Sequence, residues 1–225
     1  MAPLFQDQYP EIPLEFIHEV SFDGRPYARD SNLCENTQMS IDTSLVETLN
    51  RWGGNHGSLI RVCSDDLVYA VILLAGLWFL ASILRSYPIH QSWKSFVKNL
   101  IIKGVIIFGI PAGIAIVISE SISAIYVRQR PFIADPNVTL LVPHTADGGM
   151  PSHHIVFMVA LVTSIFFYQK SFAMLLAALT LVTGIARVVA GIHYPSDILV
   201  GAILGVVIVY LYRWFVPARS LSFPQ

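Results

Sequence analysis

Five near-continuous apolar stretches occupy most of the chain beyond residue 66. They cover residues 67–84, 100–127, 155–168, 172–189 and 198–216. None keeps the polar stripe that a soluble helix turns toward water. A helix crosses the hydrocarbon core of a bilayer in about 20 residues. Each stretch is therefore read as a transmembrane helix, the third only if its polar start is counted. Pro111, with two glycines nearby, predicts a kink in the second.

The pattern ahead of these stretches is different. Residues 1–65 are polar and acidic. Ser44 and Glu47 stand at capping-box spacing, Leu45, Leu49 and Trp52 follow at helical spacing, and Gly53-Gly54 can end the turn. This predicts a short amphipathic helix on the membrane surface, with packing on the domain itself as the alternative. Residues 1–20 lack the basic start and apolar run of a cleaved signal peptide and carry Asp7, Glu11, Glu15 and Glu19. The expected fold is all-α: a polytopic membrane helix bundle of about five transmembrane helices plus an N-terminal interfacial helix. Its parts are a polar region (1–65), a membrane core (66–217) and a cytoplasmic tail (218–225).

Composition agrees with a membrane class. The chain has 225 residues, 54% hydrophobic and 13% charged, with mean hydropathy +0.60. Soluble domains carry about 25% charged residues. A net charge of −1 offers no basic excess for nucleic acid. Two cysteines, Cys34 and Cys63, do not make a disulfide framework. Loop charge sets the expected orientation. Arg85, Lys94, Lys98, Lys170, Arg213 and Arg219 fall on one side, which the positive-inside rule makes cytoplasmic. The other side receives the N-terminal region, the 128–152 loop and the 190–197 turn. Arg128 and Arg130 are exceptions there and call for a reason.

Three polar clusters meet apolar spans on that outer side: Arg128-Gln129-Arg130-Pro131-Phe132, Pro151-Ser152-His153-His154, and Arg187 with His193 and Asp197. Ionisable groups against membrane spans are costly and mark function. Arginine forks match phosphate oxygens and stay charged, so Arg130 and Arg187 can hold a phosphoryl group and the charge of its transition state. One histidine can attack phosphorus, and a second can protonate a leaving oxygen and then activate water. An aspartate can orient the nucleophile. A helical turn starting near Pro195 could join His193 to Asp197. Ser152, at a helix N-terminus, can complete an anion site. Arg128 is divided evenly between phosphate and head-group contact. His144 and Asp147 are read as loop structure or substrate-edge contacts. A zinc set from His153, His154, His193 and Asp197 is disfavoured, because no paired-ligand spacing is present and the arginines repel a cation. No metal and no cofactor is expected.

These motifs resemble the type 2 phosphatidic acid phosphatase family, whose pattern is Lys-x6-Arg-Pro, then Pro-Ser-Gly-His, then Ser-Arg-x5-His-x3-Asp. Arg130-Pro131 matches the end of the first motif. Pro151, Ser152 and His154 match the second, and Arg187, His193 and Asp197 match the third with its spacing intact. Ser123 stands at the lysine, His153 at the glycine and Ala186 at the serine, with Arg128 as candidate replacement for the missing cation. Within the family, Arg130-Pro131-Phe132-Ile133-Ala134 and the run from Leu141 to Asp147 leading into Met150-Pro151-Ser152 resemble the bacitracin-resistance type of undecaprenyl pyrophosphate phosphatase. The resemblance implies hydrolysis of that carrier lipid on the outer face of a bacterial cell membrane, with peptidoglycan synthesis as its setting. It also implies His193 as nucleophile, Asp197 as its orienting group and His154 as acid/base. Arg130, Arg187, Ser152, Arg128 and His153 become the substrate-binding residues. Other lipid phosphates (phosphatidylglycerophosphate, phosphatidate, lipid A), phosphotransfer, or non-catalytic lipid-phosphate binding stand as alternatives.

Overall fold

The computed structural model describes residues 41–86, 92–145 and 148–217. The expectations for residues 1–40 with Cys34, for Asp147 and for the 218–225 tail lie outside the described residues.

Among the described residues every regular element is helical. The order is α1 (Ile41–Gly53), α2 (Gly57–Ser86), α3 (Trp93–Ile125), a single turn α4 (Pro131–Ala134), α5 (His153–Phe166), α6 (Lys170–Val189) and α7 (Pro195–Phe215). Helices α2, α3, α6 and α7 are long and apolar enough to cross a membrane. They expose Leu73, Leu77, Val117, Leu181, Leu199 and Ile203, as expected of side chains that meet lipid rather than water.

Helix α5 is the exception in length. Even with its polar start it has 14 residues, a rise of about 21 Å against a hydrocarbon core of about 30 Å. It packs against α3, α6 and α7. Ile155, Val156, Met158, Ala160 and Ile165 are all buried. A helix sheathed by its neighbours has little lipid contact to match, so its apolar run can be short. Gly201 and Gly205 bring α7 onto its backbone. A Cβ on Gly205 would lie 2.7 Å from the Val156 carbonyl oxygen, the small-residue packing common between membrane helices.

Two spans begin earlier than hydropathy indicates. Helix α2 starts at Gly57, and hydropathy misses its first turns because they are polar, with Ser64, Asp65 and Asp66 in a wide π-type turn (Val62–Asp66). Helix α3 starts at Trp93, capped by Ser92, whose Oγ accepts from the Ser95 N–H at 3.4 Å. A second π-type turn, Val105–Gly109, sits just before Pro111. There the missing proline N–H breaks the regular ladder.

Helix α1 forms where expected, as Ile41–Gly53, so Ser44 lies inside it rather than at its cap position. The Ser44 carbonyl accepts from the Thr48 hydroxyl at 2.8 Å. The turn at Gly53-Gly54 ends the helix, with the Gly54 N–H on the Asn50 carbonyl. The helix packs on α6 and α7 through Val46, Asn50 and Gly53. The buried Asn50 amide donates to the carbonyls of Thr139 (2.8 Å) and Val189 (2.9 Å), and its oxygen accepts from the Thr139 N–H (2.8 Å). Ile41, Leu45 and Trp52 remain exposed, an apolar set suited to a membrane interface.

Candidate functional site

One end each of α2, α3, α5, α6 and α7 meets the others at the same end of the bundle. The local reasons are readable. Helix α3 stops at Ile125, and Arg130 enters the turn α4 ahead of Pro131, which suits a first helical position. Helix α6 ends at Val189, and Gly191 then takes φ +76°, a backbone conformation that favours glycine. That reversal delivers His193 beside Arg187, its N–H lying 3.4 Å from the Arg187 carbonyl. Pro195 opens α7, and the Asp197 carboxylate turns back to accept the Tyr194 N–H at 2.8 Å.

His193 is buried, with 2% exposure. Its Nδ1 lies 2.9 Å from the Gly149 carbonyl oxygen. A carbonyl can only accept, so Nδ1 carries the proton and the lone pair resides on Nε2. That Nε2 faces the Arg130 guanidinium at 3.4 Å. Burial pushes the imidazole well below its ordinary pKa of 6.5. Arg130, Arg187 and His144 add to the shift, and the Gly149 hydrogen bond opposes it. The ring is therefore neutral at neutral pH, as a nitrogen nucleophile must be. The Asp197 Oδ2 is 3.7 Å from Nδ1, beyond hydrogen-bond length. The aspartate therefore makes no direct hydrogen bond to the ring, and the Gly149 carbonyl fixes its tautomer.

The arginines separate into different settings. Arg130 is buried and donates to the carbonyls of Ile192 (3.2 Å) and Gly148 (3.3 Å). Arg187, with 1% exposure, donates to the Ser64 carbonyl (3.2 Å) and the Asp65 carboxylate (3.4 Å), and meets His144 Nε2 at 3.2 Å. The His144 ring lies edge-on to His193 with centroids 6.4 Å apart. Arg128 is committed elsewhere. It donates to Ser196 Oγ (2.6 Å), Asp197 Oδ1 (2.7 Å) and Asp42 Oδ2 (2.9 Å), and its guanidinium lies 4.0 Å over the Tyr194 ring.

Ser152 is fully buried, its N–H on the Asp197 carbonyl at 3.3 Å, and among the described residues its hydroxyl has no hydrogen-bond partner. A buried hydroxyl in that state is a donor waiting for an acceptor. His154 is exposed at the start of α5. His153 turns toward α3, its Nδ1 3.2 Å from Glu120 Oε1. Ser123 lets the loop in close, since a Cβ on Gly148 would lie 2.6 Å from its hydroxyl. A long side chain at position 123 would crowd the loop that carries the Gly149 carbonyl. Among the described residues, no three His, Cys, Asp or Glu side chains group as metal ligands.

Four participants were not singled out from sequence: Asp42, Asp65, Tyr194 and the Gly149 carbonyl. His144 also stands nearer the centre than a loop-edge reading placed it. The carbonyl has no signal in residue type, and the carboxylates lie far from the motifs in the chain. Their one legible hint was an acidic segment outside spans that otherwise shun charge.

Buried arginine forks, a neutral buried imidazole and an unpartnered hydroxyl, all at the end of an apolar bundle, form a site for phosphoryl chemistry on a membrane-borne substrate. Comparison with known proteins agrees. The chain is 30% identical over 144 residues to the bacitracin transport permease protein BcrC of Bacillus licheniformis, covering 64% of this chain and 68% of that one. It is 33% identical over 113 residues to the undecaprenyl-diphosphatase BcrC of Bacillus subtilis (strain 168), covering 50% and 58%. The second match thus spans under two thirds of that relative. The crystal structure of Aquifex aeolicus LpxE shares the fold at TM-score 0.54 and 18% identity, over 79% of this chain and 98% of that one. The PAP2 superfamily signature matches residues 104–221, just over half of the chain, and the chain belongs to that superfamily as a multi-pass membrane lipid phosphatase.

Proposed function

We propose that this protein hydrolyses undecaprenyl pyrophosphate to the monophosphate through a phosphohistidine on His193, recycling carrier lipid for cell-wall synthesis. The observation that carries the chemistry is the His193–Gly149 hydrogen bond, which leaves the Nε2 lone pair beside Arg130. The name of the Bacillus subtilis relative, an undecaprenyl-diphosphatase, supports the choice of lipid.

The lipid pyrophosphate places its terminal phosphoryl group among Arg130, Arg187 and the Ser152 hydroxyl. His193 Nε2 attacks phosphorus, and the bond from phosphorus to the bridging oxygen breaks. The electron pair leaves with the lipid monophosphate, protonated by His154. In the second half His154 takes a proton from water, water oxygen bonds to phosphorus, and the pair of the P–N bond returns to Nε2. Orthophosphate is released. The arginines hold the charge that spreads over the equatorial oxygens. Asp197, through space, and the Gly149 carbonyl, by hydrogen bond, favour the cationic ring of the intermediate.

The site faces the outside of a bacterial cell membrane in this reading, and the C-terminus is cytoplasmic. Arg85, Lys94, Lys98, Lys170 and Arg213 lie toward the ends of spans remote from the site, where the positive-inside rule puts the cytoplasm. The test is phosphate release from the lipid pyrophosphate in detergent with EDTA present, beside a panel of phosphatidylglycerophosphate, phosphatidate and lipid A. Wild type should act fastest on the pyrophosphate, and His193→Ala should be inactive though folded. Activity abolished by the chelator, or retained by His193→Ala, overturns the mechanism. A monophosphate lipid hydrolysed faster overturns the substrate.

A further inference from the structure

The segment ahead of the matched region, residues 104–221, carries a helix that reaches the site. Helix α1 is pinned by buried Val46 and by the three Asn50 hydrogen bonds. Its first turn holds Asp42, partly buried. The Asp42 carboxylate accepts from Arg128 at 2.9 Å, from the Ser196 N–H at 3.1 Å and from the Ser196 hydroxyl. Burial works to raise its pKa, but the bonds from Ser196 and Arg128 outweigh burial and hold it below the ordinary carboxylate value. It is a charged acceptor on α1, set against the start of α7.

The consequence runs through Arg128. One guanidinium nitrogen donates to Asp197 at 2.7 Å and the other to Asp42 at 2.9 Å, while the plane lies on Tyr194. An arginine shared by two carboxylates and an aromatic ring is fixed in place and is spent as a phosphate ligand. What it fixes is Asp197, whose other oxygen stands 3.7 Å from the His193 ring. Without Asp42 the far end of the fork has lost its charged acceptor, and the near end can swing with Asp197.

We propose that α1 is a working part of the phosphatase site, with Asp42 a positioning residue that acts through Arg128 on Asp197 and so on His193. The proposal rests on the phosphohistidine reading above and gives the acidic N-terminal segment a role.

The full chain, purified in detergent, is assayed on the lipid pyrophosphate as Asp42→Asn, Asp42→Glu, Arg128→Lys and the Asp42→Asn/Arg128→Lys double variant. Glu47→Gln removes the same charge from the same helix outside this network. Asp42→Asn should lower kcat about tenfold with KM within about twofold of wild type, since misplacement spares binding and costs rate. Asp42→Glu should recover part of the rate, Glu47→Gln should match wild type, and the double variant should be no worse than Arg128→Lys alone. An α1 that only supports folding would lower the melting temperature and the active fraction, not kcat per folded enzyme. Unchanged kcat in Asp42→Asn overturns the proposal, as do additive losses in the double variant. A raised KM at constant kcat in Arg128→Lys also overturns it, because Arg128 would then bind phosphate directly. If Asp42→Asn does not fold, Arg128→Lys carries the kcat-against-KM test. Should His193→Ala equal wild type, the phosphohistidine reading falls and takes this one with it. Should only Asp42→Asn behave as wild type, this one falls alone.

Discussion

Gly205→Ala tests how tightly the fold holds the site. The added Cβ would lie 2.7 Å from the Val156 carbonyl oxygen, 3.1 Å from the Ala160 nitrogen and 3.0 Å from the Val159 Cβ. The first two are backbone atoms of α5, which cannot turn aside as a long side chain can. A relaxed carbon–oxygen contact needs about 3.3 Å, so the helices must part by about 0.6 Å. Overpacking of this kind costs about 1–3 kcal/mol. A better helix propensity returns up to about 1 kcal/mol. Gly76→Ala supplies the reference, since it keeps the propensity gain and its Cβ meets nothing within 4 Å. The two variants should therefore differ by the packing cost, roughly 2–12 °C in melting temperature for a protein of this size. Thermal unfolding in one detergent measures it. Activity should follow, because Gly201 lies between Gly205 and Asp197 on α7 and its Cβ would sit 3.2 Å from the Ser152 carbonyl oxygen. A shift of α7 is thus passed to the Ser152–Asp197 contact. Equal melting temperatures for Gly205→Ala and Gly76→Ala would refute the close α5–α7 packing on which the site geometry depends.

The remaining predictions concern charge and anchoring. Because His193 is held below its ordinary pKa of 6.5, the stability it contributes is complete above that value. It is lost as pH falls below it, by about 1.4 kcal/mol per pH unit until the folded-state pKa is reached. Melting curves of wild type should show a steeper pH slope below 6.5 than those of His193→Ala, the difference being the part that His193 contributes. The acid limb of kcat/KM should likewise lie below pH 6.5, and a limb at or above it contradicts a neutral resting nucleophile. Asn50→Ala strands the Thr139 N–H and should cost about 1–3 kcal/mol in thermal unfolding; no loss means that α1 is not anchored there. Arg187→Lys cannot reproduce the fork shared by Ser64, Asp65 and His144 and should lose about tenfold or more in kcat/KM. Wild-type kinetics in that variant would remove Arg187 from the site.

The sequence by itself determined the class of the fold and the neighbourhood of the site. Apolar runs of bilayer length leave a helix little choice, because every backbone group must be satisfied within it. Arginines, histidines and an aspartate at the ends of such runs are too costly to be idle. Arg130, Arg187, Ser152, His193 and Asp197 were therefore readable as a group before any coordinates. Tertiary structure decided which of them touch. Arg128 stood evenly between phosphate and head-group contact, and in the fold it pairs with Asp42 and Asp197. Asp197 read as the orienting partner of His193, and the shorter contact comes from a backbone carbonyl, which no residue type announces. The starts of α2 and α3 escaped hydropathy because their first turns are polar. Helix α1 was legible as an element, but its place on the membrane surface or on the domain stayed open, because an amphipathic face alone does not say what it packs on. Periodicity is a local property of the chain. The Asp42–Arg128 pair joins residues 86 positions apart, and only the packing of α1 against α6 and α7 brings them within a hydrogen bond.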